Sequence, residues 1–159
     1  QGGYIITNYH VIVNSEKIEI KSNAGSKFDA EYVRGSKLHD LALLKIRDAE
    51  IEGFNVKDTV SIHRAKVVYA IGSPTSVELG QTLSKGRFLS KLPNSQGIEM
   101  FLININVSPG NSGGPLISEN GELLGVVTAK MYDYEGESVA VVIPAIEILK
   151  RLNLEMISS

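Results

Sequence analysis

The chain has 159 residues, 16 Lys or Arg against 18 Asp or Glu, a formal net charge of −2 and a hydrophobic fraction of 43%. That balance suits a soluble globular domain and offers no basic patch for nucleic acid and no acidic tail. Cysteine is absent, which excludes disulfides and cysteine-based zinc sites, and no apolar run approaches the ~20 residues that span a bilayer.

In chain order, the first half predicts short strands over residues 4–7, 17–21, 28–33 and 41–46, punctuated by Asn14-Ser15, Asn23-Ala24-Gly25 and Gly35-Ser36. Ile18-Glu19-Ile20-Lys21 alternates as a half-buried strand should. A polar stretch over 48–64 shows no period. A second β set follows over 66–71, 81–89, 99–105, 115–118, 123–129 and 138–142, with hairpin-type turns at Asn94-Ser95-Gln96-Gly97 and Glu119-Asn120-Gly121. From Pro144 the apolar Ile148, Leu149, Leu152 and Met156 recur at helical spacing. The expected fold class is all-β: two antiparallel barrels and a C-terminal helix. The expected division is an N-terminal barrel over 1–50, a connector over 51–65, a C-terminal barrel over 66–143 and a helix over 144–157. No metal-ligand spacing and no Gly-rich phosphate loop occurs, so neither a metal nor a cofactor is expected. No signal-peptide pattern is read in the chain.

Ser108-Pro109-Gly110-Asn111-Ser112-Gly113-Gly114-Pro115 carries the chemistry. Its glycines let the backbone curl and approach a substrate closely. Such a curl turns successive N–H groups inward, where they stabilise a developing oxyanion. The same residues fit the Gly-x-Ser-x-Gly elbow of α/β-hydrolases, but that elbow needs a helix straight after the serine and a histidine downstream. Here Pro115 and a turn over 119–122 follow, and His10, His39 and His63 all precede Ser112. The remaining order is His, Asp, Ser. His10 lies at the end of Gly3-Tyr4-Ile5-Ile6-Thr7-Asn8-Tyr9-His10, and Asp40 opens the apolar run Leu41-Ala42-Leu43-Leu44. His39 reads as a surface or supporting residue and His63 as exposed. Asp29 and Asp48 are rival acids, but neither precedes an apolar strand that would fix it beside an imidazole. Ser73, Ser84 and Ser108 read as turn or strand residues.

Thr-Asn-Tyr-His-Val, Asp-Leu-Ala-Leu-Leu-Lys-Ile and Pro-Gly-Asn-Ser-Gly-Gly-Pro-Leu, in that order, resemble the trypsin-like serine proteases of the HtrA (Deg) type. Ala70-Ile71-Gly72-Ser73-Pro74, residues 121–129 and residues 140–144 extend the resemblance over nearly the whole chain. It implies a chymotrypsin-type fold with catalytic groups drawn from both barrels. It implies a triad of Ser112 as nucleophile, His10 as general base and Asp40 as its orienting acid, acting through an acyl-enzyme. The oxyanion segment would be Gly110, Asn111 and Ser112, with the Gly110 and Ser112 N–H groups as donors. Substrate would pair with Val126, Val127, Thr128 and Ala129, and Asn106, Val107 and Lys130 would lie near the primary pocket. No Asp stands six residues before Ser112, so cleavage after Arg or Lys is not expected. Lys130 leaves two cases open, a shortened apolar pocket or an attraction for acidic side chains. Asn111 stands where pancreatic enzymes have Asp, so activation by chain cleavage is not expected and a turn that reorders on substrate binding is. Unfolded or misfolded polypeptides are the implied substrates, with a homotrimer and a cell-envelope or extracellular setting as the family's default. An inactive protease-like binding module is the alternative function. HtrA-like domains carry a further strand before the segment bearing the His, whereas nine residues precede His10 here. A first barrel short of one or more strands, with an unpaired edge, is therefore expected, and no PDZ domain is expected within 1–159.

Overall fold

A computed structural model describes residues 2–49, 51–56, 62–64, 66–73, 80–108 and 110–155. Among these described residues, ten strands and two short helices are arranged as an open sheet followed by a closed barrel. The open sheet contains β1 (Tyr4–Thr7), β2 (Ile18–Lys21), β3 (Lys27–Ser36) and β4 (Leu41–Ile46), in the order β1-β4-β3-β2. β4 is central and apolar on both faces, and Leu41 to Leu44 are all buried. A continuous apolar run suits a strand covered on both sides, whereas Ile18 to Lys21 alternates at the sheet's edge. The sheet curls without closing, so the first barrel is a half-barrel.

The second unit closes. β5 (Val67–Gly72), β6 (Thr82–Pro93), β7 (Glu99–Ile103), β8 (Pro115–Ser118), β9 (Leu123–Tyr132) and β10 (Ser138–Pro144) form a six-stranded antiparallel barrel in the order β10-β7-β6-β5-β8-β9. Inward residues alternate along β5 and β8, and Phe88 meets Phe101 edge-on inside, with ring centroids 5.3 Å apart.

A second apolar cluster joins the two units. Leu41 and Leu43 from β4 pack with Ile98, Met100, Val126 and Ile143 of the barrel, and with Ile148 and Leu152 at the C-terminal end. This cluster holds one wall of the intervening cleft against the other.

Two elements differ from the expectation. Tyr9–Ile12 forms a one-turn helix, α1, where no helix was expected. Its β-branched content suits a strand, but the Tyr9 N–H donates to the Asp40 carbonyl at 3.2 Å and turns the chain. The terminal helix α2 spans only Ala145–Arg151, and Asn153 beyond it is left-handed at φ 51°. A left-handed residue stops a helix at its C-terminal end. Pro74, Pro109 and Met156, used in reading the sequence, lie outside the described residues.

Candidate active site

The cleft wall from the open sheet carries Asn8, His10 and Asp40. Register sets them together: β1 pairs with β4 as Thr7↔Ala42, so the residues just past β1 face those just before β4. Asp40 is left-handed at φ 54°, a conformation Asp tolerates better than most residues. Its carbonyl receives the Tyr9 N–H and the Asn8 carboxamide Nδ2 at 2.9 Å. Its carboxylate is then turned toward His10.

Three donors converge on that carboxylate. The His10 main-chain N–H donates to Oδ1 at 2.8 Å, and His10 Nδ1 lies 2.6 Å from Oδ2. Thr128 Oγ1 donates to Oδ2 at 3.1 Å from β9, across the cleft. A carboxylate only accepts, so Nδ1 donates to it, and in the neutral imidazole Nε2 keeps its lone pair. The imidazole is about half exposed, open to a substrate.

Ser112 sits on the opposite wall. The turn that bears it is tied to β9 by the Gly113 N–H to the Val127 carbonyl at 2.8 Å, and by the Val127 N–H to the Gly114 carbonyl at 2.9 Å. Gly110 and Gly113 have φ of 100° and 83°, values that glycine adopts without steric cost. A Cβ on Gly113 would also overlap Thr7 Oγ1, so the serine turn rests directly on the His10 segment. The buried Asn111 carboxamide packs against Gly72, where a Cβ would collide with it. Its main-chain N–H is engaged by the Ser108 carbonyl at 3.1 Å, and the Gly110 carbonyl by the Ser73 N–H at 3.1 Å. The Gly110 and Ser112 N–H groups, by contrast, have no internal acceptor among the described residues. No hydrogen bond joins Ser112 Oγ to His10 among the described residues either.

A cavity of about 530 Å³ lies against the far end of β9 and the start of β10. Asn106 and Lys130 line it, with Tyr132, Asp133, Glu137 and Val139. Val107 does not: it is buried in the barrel's apolar cluster. Along β9, Val126 and Val127 are buried and paired with β10. Val127 also has both main-chain groups engaged by the serine turn. β8 reaches no further along β9 than Pro115↔Val126. Thr128, Ala129 and Lys130 therefore keep an edge free of strand partners among the described residues. Lys130 Nζ stands 5.1 Å from the centroid of the Tyr132 ring.

The other sequence candidates fall elsewhere. His39 bonds through Nδ1 to Ser36 Oγ at 2.6 Å, away from the cleft. Its pKa is lowered below 6.5 by burial first and by the Arg151 guanidinium second, with Glu147 opposing. His63 is exposed, and Asp29 pairs with Lys17 at 2.9 Å on the surface. Among the described residues, no group of His, Asp and Glu side chains could hold a metal ion, and no helix is long and apolar enough to cross a membrane. Sequence reasoning missed the part Asn8 plays beside Asp40, although Asn8 lies two positions before His10. It also missed the pocket faces of Tyr132, Asp133 and Glu137.

Comparison with known proteins bears on this geometry. Residues 1–126 match the trypsin-like peptidase domain family. The chain is 36% identical over 133 residues to the periplasmic pH-dependent serine endoprotease DegQ of Escherichia coli, covering 80% of this chain and 29% of DegQ. It is 37% identical over 131 residues to the serine endoprotease DegS of Haemophilus influenzae, covering 79% and 38%. The solved structure of the HtrA-type protease AlgW with a decapeptide superposes with a TM-score of 0.84 at 28% identity, over 96% of this chain and 48% of that one. The chain thus spans well under half the length of these two curated relatives.

Proposed function

The chain belongs to the trypsin-like peptidase domain family, and on that premise we propose that it is an HtrA-type serine endopeptidase acting on unfolded or misfolded polypeptides. The observation that carries the reading is His10 held through Nδ1 on an Asp40 carboxylate that three donors orient, across the cleft from a serine set in a glycine turn. In this mechanism Ser112 Oγ attacks the scissile carbonyl carbon and its proton passes to His10 Nε2. The Oγ–Nε2 hydrogen bond forms as substrate closes the cleft, since such contacts are often long in free enzymes. The carbonyl oxygen becomes an oxyanion and takes the free Gly110 and Ser112 N–H groups. His10 then returns the proton to the departing amine, leaving an acyl-enzyme. Water attacks the acyl carbon, giving its proton to Nε2, and as the acyl C–Oγ bond breaks Nε2 passes that proton to Ser112 Oγ, regenerating the free serine and the neutral imidazole. Asp40 holds the tautomer and stabilises the imidazolium throughout.

The substrate backbone pairs with the free edge at Thr128, Ala129 and Lys130, and the cleaved residue's side chain enters the adjoining cavity. Asp133 and Glu137 line that cavity with Lys130, so its field opposes a substrate carboxylate. The Lys130 ammonium lies over Tyr132, and its methylene stem covers apolar surface at the entrance. Uncharged residues such as Val, Ala, Ile or Thr fit this lining. The DegQ relative is named periplasmic, which supports a cell-envelope setting.

Exposure to a fluorophosphonate, then digestion of a denatured protein with sequencing of the cut sites, tests the proposal. Labelling at Ser112 and cuts after small or medium uncharged residues are expected, and Lys130→Gly should admit Leu and Phe. Dominant cleavage after Asp, Glu, Arg or Lys contradicts the pocket reading. A binding module without activity is the second reading, favoured by the missing bond between Ser112 Oγ and His10. In that case Ser112 stays unlabelled.

A further inference from the structure

We propose that Asn8 is a positioning residue for the triad, one that sets the direction of the Thr128 hydroxyl proton and holds Asp40 in its left-handed conformation. Asn8 is wholly buried. It occupies the N-cap position of α1, where an Asn side chain usually accepts a helix N–H. Here the backbone is extended, at φ −78° and ψ 146°, yet the side chain makes no cap bond. It points across the cleft instead. Nδ2 donates to the Asp40 carbonyl at 2.9 Å and to Thr128 Oγ1 at 3.3 Å, a residue 120 positions away. Oδ1 is buried without a partner among the described residues. A buried unsatisfied oxygen is costly, so helix stability does not account for this residue.

The hydrogen-bond chemistry fixes the direction of every proton in the chain of contacts. The Asp40 carbonyl only accepts, so the carboxamide must present its nitrogen and not its oxygen. Thr128 Oγ1 lies between the Asn8 amide, which only donates there, and Asp40 Oδ2, which only accepts. Its single proton must therefore point at Oδ2. Asn8 thus feeds a relay that runs Asn8 to Thr128 to Asp40 to His10. Its second bond, to the Asp40 carbonyl, clamps the left-handed residue from behind. Both walls of the cleft meet in this one side chain.

The catalytic half of the inference rests on the endopeptidase reading above. Asn8→Asp keeps the volume but removes the donors. Its carboxylate repels the Asp40 carbonyl and draws the Thr128 proton away from Oδ2. Asn8→Ala removes both donor and volume. In the wild-type background both should lower kcat by about ten- to a hundredfold, the scale of a misplaced catalytic group, with KM within about twofold. A residue that merely packs would leave Asn8→Asp at the wild-type kcat, and that result overturns the proposal. Two NMR signals need no turnover. In the wild-type chain the Asn8 carboxamide protons should exchange slowly, and the His10 Nδ1 proton should lie at low field. Thr128→Val should shift both signals. Fast Asn8 exchange, or signals indifferent to Thr128→Val, would overturn the relay. Absence of fluorophosphonate labelling in the wild type would instead overturn the endopeptidase reading and leave the relay to be decided by these signals.

Discussion

At the scale of single residues, the candidate site combines half-open side chains with one whose oxygens are engaged internally. Ser112 and His10 are half-open to solvent, while Asp40 spends its acceptors on internal donors. Groups that act as a unit lose their effect together. Ser112→Ala and His10→Ala should each lower kcat by about 10⁶, and the double variant should be little worse. Asp40→Asn should cost about 10⁴ through the wrong tautomer. Turnover of a chromogenic peptide measures all four, and substantial residual turnover in Ser112→Ala would remove the serine from its role. His39 supplies a prediction about stability. Burial and Arg151 lower its folded pKa below 6.5, so the unfolded chain binds the proton more readily. Stability from this site is then full above about 6.5 and declines as pH falls through that value toward the folded one. The drop in Tm between pH 7 and pH 5 should be smaller in His39→Gln than in the wild type. Equal drops would show that His39 is not responsible.

At the scale of elements, the serine turn works because it touches three others. It bonds β9 at Val127, it receives Ser73 beyond β5, and it rests on Thr7 through Gly113. The last contact leaves no room for a methyl group, and the φ of 83° disfavours any side chain. Gly113→Ala should destabilise the chain by at least about 1–3 kcal/mol, the cost of a left-handed non-glycine residue. It should also slow fluorophosphonate labelling, since relief of the clash moves Ser112 away from His10. Urea unfolding and labelling rates read the two effects. Wild-type labelling in a destabilised variant would mean that the turn and the His10 segment are not coupled. These contacts explain why the turn was legible in the sequence while α1 was not. Glycine marks a tight backbone wherever it falls, whereas nothing local in Tyr9-His10-Val11-Ile12 marks a helix, which is held by main-chain bonds to Asp40.

At the scale of the whole molecule, the cleft exists because an open sheet and a closed barrel share the apolar cluster around Leu41. Leu41 is fully buried between β4 and the barrel residues Val126 and Ile143. Truncating such a side chain costs the transfer energy and leaves a cavity. Leu41→Ala should lower stability by about 2–5 kcal/mol. It should also reduce peptide turnover more than labelling of Ser112, because it loosens the His10–Asp40 wall and not the serine turn. Equal losses in both would argue against this division of the walls.

The sequence by itself determined the strand content, the glycine turn, the order His10, Asp40, Ser112 and the apolar β4. Each is a local property, set by glycine's freedom, by two-residue alternation or by an unbroken apolar run. Only the tertiary structure decided which groups hold Asp40, that Val107 faces the barrel interior, and that Asp133 and Glu137 share the pocket with Lys130. These depend on contacts between residues as far apart as Asn8 and Thr128. Strand register and barrel closure create such contacts, and no local pattern encodes them.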